Sequence, residues 1–100
     1  MRIKVGINGM GRIGRMIVRT IIENNIKNLE IKHINNRSNL ETCTNLLKHD
    51  SIHGKFDAKV FFDKKNLFIN NKKITFSQET DIKNINWKKH GVDYVFECTG

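Results

Sequence analysis

One hundred residues with a formal net charge of +8 fit one small domain built around a single core. The lysines are scattered as singles and short pairs, without the concentrated stripe or interleaved aromatic platform of a specific nucleic-acid surface, so a solvated basic surface is the reading preferred. Cys43 and Cys98 give neither zinc spacing nor a disulfide framework, no export signal opens the chain, and no apolar run reaches transmembrane length; a cytoplasmic chain without membrane contact is expected.

The first expected element is a short apolar strand over Ile3–Asn8, running into Gly9-Met10-Gly11-Arg12-Ile13-Gly14. A helix follows, with Ile13, Met16, Ile17, Ile21 and Ile22 at helical spacing until Asn24-Asn25 ends the pattern. Strand, Gly-x-Gly-x-x-Gly turn and helix, in that order, are what a dinucleotide site needs. Gly9 turns the chain, Gly11 lets the backbone approach a pyrophosphate, and Gly14 lets the helix lie close to the strand, while free amides and the positive helix end face the anion. Arg12 and Arg15 add positive charge at the same turn. A plain tight turn is the bland alternative, and the flanking strand and helix argue against it.

Positions 29–34 alternate as a second strand, completing a βαβ unit whose crossover is expected to be right-handed and parallel. Ser38 or Asn39 is expected to cap a helix over 40–48 that buries Leu40, Cys43, Leu46 and Leu47. After a turn at 50–54 the period becomes two, and 58–62, 66–69 and 72–76 read as antiparallel strands. Asp63-Lys64-Lys65 and the pair Asn70-Asn71 join them, Asn being tolerant of the left-handed backbone of a two-residue hairpin turn. A helical turn over 81–87 is expected to bury Ile82, Ile85 and Trp87; Gly91 breaks the chain, and 92–97 is the next core strand.

The fold class expected is α/β, a Rossmann-type parallel sheet with an antiparallel hairpin excursion. The chain stops directly after an apolar strand, which reads as truncation: residues 1–100 are the N-terminal part of a dinucleotide-binding domain, with the catalytic domain absent.

Other constellations carry less. Asp50, Ser51 and His53 are close in sequence, but a hydrolase triad is a matter of spatial roles, and these residues read as a turn. His49 and His53 would share a metal-binding helix face only if the helix ran through Gly54, so no metal site is expected. Cys43 reads as core and Cys98 as a buried, inert thiol at a strand end. His33 is placed on the exposed side of its strand and His90 in a surface turn.

Several segments together resemble one family. Ile7-Asn8-Gly9-Met10-Gly11-Arg12-Ile13-Gly14-Arg15, then Leu47-Lys48-His49-Asp50-Ser51-Ile52-His53-Gly54-Lys55-Phe56, then Trp87, Gly91-Val92-Asp93 and Glu97-Cys98-Thr99-Gly100 resemble the N-terminal part of phosphorylating glyceraldehyde-3-phosphate dehydrogenases. The resemblance implies an NAD-binding domain of a cytoplasmic homotetramer that oxidises and phosphorylates an aldehyde in glycolysis or gluconeogenesis. It places the backbone of Arg12 and Ile13 at the cofactor pyrophosphate, Thr80 near the adenine, and the backbone of Thr99 and Gly100 beside the cofactor. The family's catalytic cysteine, its partner histidine and the sugar-phosphate site lie beyond position 100, so this stretch alone is expected to be inactive and contains no catalytic residue.

Three departures stand out. Met10 replaces the usual Phe, a change of packing. Thr80 replaces a frequent Arg. At the end of the second strand, where the family commonly has Asn-Asp, this chain has Asn35-Asn36 followed by Arg37 and Ser38. Asn36 can bond a ribose but repels no 2′-phosphate, and Arg37 and Ser38 can bond one, so the cofactor is read as NAD or NADP. The rival readings are the cofactor domain of an erythrose-4-phosphate dehydrogenase and a stand-alone nucleotide- or RNA-binding Rossmann module.

Overall fold

The computed structural model describes residues 2–24, 26–49 and 58–99. Strand β1 (Ile3–Asn8) lies inside a six-stranded sheet, and its Val5 and Ile7 are buried, as in a parallel strand covered on both faces. It pairs in parallel with β2 (Leu29–Asn35) on one side and β6 (Tyr94–Glu97) on the other. Helix α1 (Arg12–Glu23) makes the crossover from β1 to β2. Helix α2 (Leu40–Lys48) follows β2 and packs on β3 (Val60–Phe62) and β4 (Asn66–Ile69). These two strands and β5 (Lys72–Ser77) form the antiparallel excursion, and β5 returns parallel to β2, giving the order β3-β4-β5-β2-β1-β6. The expected fold class holds.

A register shift in the β1–β2 pair decides which side chains face which layer. Ile31 stands opposite Val5 and Ile34 opposite Ile7, and all four join the core cluster; the irregularity leaves His33 opposite Gly6. A Cβ on Gly6 would overlap the Trp87 ring, so that ring occupies the space a β1 side chain would take. His33 meets the same ring edge-on, with centroids 5.3 Å apart, and stacks on His90 at 3.9 Å. The expectation that His33 is exposed is therefore wrong. It is 0% exposed: the bulge turns it to the face opposite Ile31 and Ile34, and Trp87 and His90 cover that face.

Helix α1 buries Gly14, Val18, Arg19 and Ile21, while Ile17 and Ile22 are half-buried against the core. Ile13 and Met16, on the same apolar pattern, are exposed instead, Ile13 by 53%. The Arg19 guanidinium donates to the Leu47 carbonyl at 3.0 Å, satisfying an acceptor in the last turn of α2. Asn39, not Ser38, caps α2: its Oδ1 accepts the Thr42 amide at 2.8 Å. The inward stripe of α2 runs from half-buried Leu40 through buried Cys43, Thr44 and Leu47. Leu46, expected inside, is 42% exposed, since i, i+3, i+4 and i+7 from Leu40 pass it by. Thr44 is accommodated by donating its hydroxyl to the Leu40 carbonyl at 2.8 Å.

The excursion follows the turn chemistry. Asn70 and Asn71 both have positive φ, 51° and 69°, as a primed two-residue turn requires, and Asn70 Oδ1 accepts the Lys59 amide. Strand β3 starts at Val60, later than the expected 58. The 81–87 turn contracts to a 3-10 turn at Ile82–Asn84, with Ile85 buried and Trp87 half-buried. Strand β6 also begins late, at Tyr94. Among the described residues it is an edge strand that pairs only with β1, and Tyr94 is 67% exposed. The expected turn at 50–54, with Asp50, Ser51 and His53, lies outside the described residues.

Candidate functional site

The carboxyl ends of β1, β2, β5 and β6 open on one cleft of about 870 Å³, within the range of small-molecule sites. Gly9, Gly11, Arg12, Ile13, Asn36, Arg37, Thr80 and Thr99 all line it. Gly14 sits behind the turn without lining the cleft, and Gly100 lies outside the described residues. Ser38 does not line it either.

Each glycine of the turn meets a different constraint. Gly9 has φ +98°, in the left-handed region, and its Cβ would stand 2.8 Å from the Cys98 carbonyl carbon. Gly14 packs so closely that a Cβ there would overlap the Gly9 carbonyl oxygen. A Cβ on Gly11 would meet nothing within 4 Å, because Gly11 opens on the cleft. Gly11 is also the N-cap of α1, with no side chain bonded to the first-turn amides and no acidic residue in that turn. The cradle fits a dinucleotide pyrophosphate: uncapped amides and the positive end of a twelve-residue helix face open space. Arg15 braces the turn, its Nη1 donating to the Met10 carbonyl at 3.1 Å, and Met10 is buried beneath it.

Asn36 is already half engaged. Its Oδ1 accepts the Met10 amide at 3.1 Å and its own amide donates to the Ser77 carbonyl, leaving Nδ2 as the group it can offer to a ribose. Arg37 is exposed, and its carbonyl accepts from Gln78.

The cleft floor is formed by residues that no sequence motif singles out. Asn8 and Asn35, both buried, end β1 and β2. Asn35 Nδ2 donates to Asn8 Oδ1 at 3.0 Å, and Asn8 Nδ2 spans both Glu97 oxygens at 3.1 and 3.0 Å. Thr99 donates its hydroxyl to Glu97 at 2.7 Å, and with the Asn8 amide it holds the Glu97 carboxyl below the usual range. Glu79, Asp81, Ile85 and Cys98 complete the wall. The available signal was a polar residue closing an otherwise apolar parallel strand, at the end where ligands bind.

The surroundings of both thiols disfavour the thiolate. Burial pushes Cys43 up to about 12, and burial with the Glu97 carboxylate raises Cys98, which is half-buried in the cleft wall and not fully enclosed as expected. Among the described residues no three metal-ligating side chains come together, and no helix is long and apolar enough to cross a membrane.

The family model for the glyceraldehyde 3-phosphate dehydrogenase NAD binding domain matches residues 3–100. The chain belongs to this family. It is 45% identical over its whole length to the glyceraldehyde-3-phosphate dehydrogenase of Priestia megaterium, 43% to that of Geobacillus stearothermophilus and 44% to that of Salmonella typhimurium. It spans 29% of the first two and 30% of the third, so the match is to the N-terminal NAD-binding domain and not to a whole dehydrogenase.

Proposed function

We propose that this chain is the cofactor-binding part of a phosphorylating glyceraldehyde-3-phosphate dehydrogenase, a glycolytic oxidoreductase. The backbone of Gly11, Arg12 and Ile13 receives the pyrophosphate, Asn36 receives the adenosine ribose, Arg37 meets a 2′-phosphate where one is present, Thr80 lies near the adenine, and Thr99 and Gly100 lie beside the cofactor. Gly9 and Gly14 shape the turn. The observation that carries this reading is the uncapped start of α1 opening through Gly11 onto a cleft at the strand ends, in a chain of this family. When bound, the nicotinamide supplies the hydride acceptor. What this stretch contributes is binding and orientation, with the aldehyde chemistry carried by the rest of the full-length protein, a cytoplasmic homotetramer.

The cofactor is NAD with tolerance for NADP. Asn36 brings no carboxylate to repel a 2′-phosphate, its free Nδ2 is a donor, and the exposed Arg37 shares the cleft. Titrating the full-length protein with both dinucleotides tests this: dissociation constants within about tenfold of one another are expected, and a larger preference for NAD removes the NADP reading. Assaying glyceraldehyde 3-phosphate and erythrose 4-phosphate, with and without inorganic phosphate, tests the activity. Phosphate-dependent turnover of the first is expected, and preference for the second overturns it.

A further inference from the structure

The proton directions in the cleft floor follow from one carboxylate. Ionised Glu97 has only lone pairs, so the Asn8 amide must turn its Nδ2 toward it. Asn8 Oδ1 therefore faces Asn35 and accepts from its Nδ2. Asn35 also clamps the Glu79 backbone, donating to its carbonyl at 3.0 Å and accepting its amide at 2.9 Å. The Asn35 oxygen further accepts the Ser77 hydroxyl at 2.6 Å, which spends that hydroxyl's single proton. His33 Nε2, 2.8 Å from Ser77 Oγ, is then the donor of that pair. In the neutral ring Nδ1 keeps its lone pair 2.6 Å from the Thr75 hydroxyl, whose single proton the Lys32 carbonyl, at 3.1 Å, also accepts. His33, Ser77, Asn35 and Asn8 thus form a run of donors all oriented toward Glu97, an arrangement in which each bond polarises the next.

We propose that Ser77 and His33 are positioning residues for the nucleotide cleft: neither lines it, and together they fix the Asn35 amide that sets the Glu97 carboxylate on one wall and the Glu79 backbone, beside Thr80 and Asp81, on another. The inference rests on reading the cleft as the dinucleotide site. Without the Ser77 proton the Asn35 oxygen loses its shortest bond, and both walls lose their common anchor.

The test is the dissociation constant for NAD in the full-length protein, measured well below the unfolding temperature. Ser77→Ala is expected to weaken NAD binding about tenfold, whereas Ser77→Thr, which keeps the hydroxyl, and His33→Gln, which keeps a donor toward Ser77, stay within about threefold of the parent. A role confined to folding would lower the melting temperature without this split between hydroxyl-bearing and hydroxyl-free variants. His33→Phe, which keeps a ring against Trp87 and His90, gives an independent reading and is expected to match Ser77→Ala. If Ser77→Ala and His33→Phe bind NAD within about twofold of the parent, the positioning role is overturned while the cleft reading stands. If the parent itself binds no NAD, the cleft reading falls and takes this inference with it.

Discussion

The carbonyl oxygen of Gly9 occupies the place where a side chain on Gly14 would begin. Helix α1 can approach β1 this closely only because position 14 has no Cβ, whereas position 11, three residues earlier, faces open cleft. The two glycines therefore separate stability from binding. Gly14→Ala is expected to lower stability by about 1–3 kcal/mol through overpacking against backbone that cannot swing aside. Gly11→Ala is expected to change stability by less than about 0.5 kcal/mol and to weaken dinucleotide binding about tenfold, its methyl standing where the pyrophosphate is placed. Urea unfolding and NAD titration of both variants check this; equal effects on both measurements would contradict it.

Cofactor choice is expected to follow the end of β2. Arg37→Ala should weaken NADP binding about tenfold and leave NAD within about twofold, since it removes one charge-assisted phosphate contact. Asn36→Asp should favour NAD by restoring a carboxylate at the ribose. Binding isotherms for both dinucleotides decide; an unchanged NADP affinity in Arg37→Ala would remove Arg37 from the site.

Acid should loosen the fold through His33. Burial, and then the adjacent His90, hold its pKa down to about 4 from 6.5, so the folded state binds this proton less readily than the unfolded chain. The stabilisation is complete above about pH 6.5 and is lost as pH falls toward about 4. His90, lowered by its own burial and by Lys89, acts in the same direction. Denaturant midpoints should decline across this interval, and less steeply in His33→Gln; parallel declines would assign the slope to other groups.

The Asn70-Asn71 turn gives a prediction independent of ligand. Asn71 has φ +69°, so Asn71→Gly should stabilise the protein by about 0.5 kcal/mol, and Asn71→Val should destabilise it by about 1–2 kcal/mol. Thermal unfolding of the pair checks the sign of each.

Much of this architecture was legible because local chemistry and tertiary placement agreed. Strand β1, helix α2, its Asn39 cap and the paired asparagines of the hairpin each carried their own signal. His33 was misplaced because the rings that cover it, Trp87 and His90, come from a segment distant in sequence, which one strand's pattern does not contain. Leu46 was misplaced because a short amphipathic helix has several plausible stripes, and only the partner strands select one. In the cleft, the glycine turn and its neighbours were readable from spacing. Asn8, Asn35 and Glu97 were not, since they meet across three strands distant in sequence.

Strand β6 leaves one row of backbone donors and acceptors unpaired among the described residues, with Tyr94 and Val95 exposed beside it. Produced in isolation, this stretch would therefore offer a template for strand-by-strand accretion between copies, and its scattered lysines would be the main electrostatic brake. Raising the ionic strength should speed its precipitation.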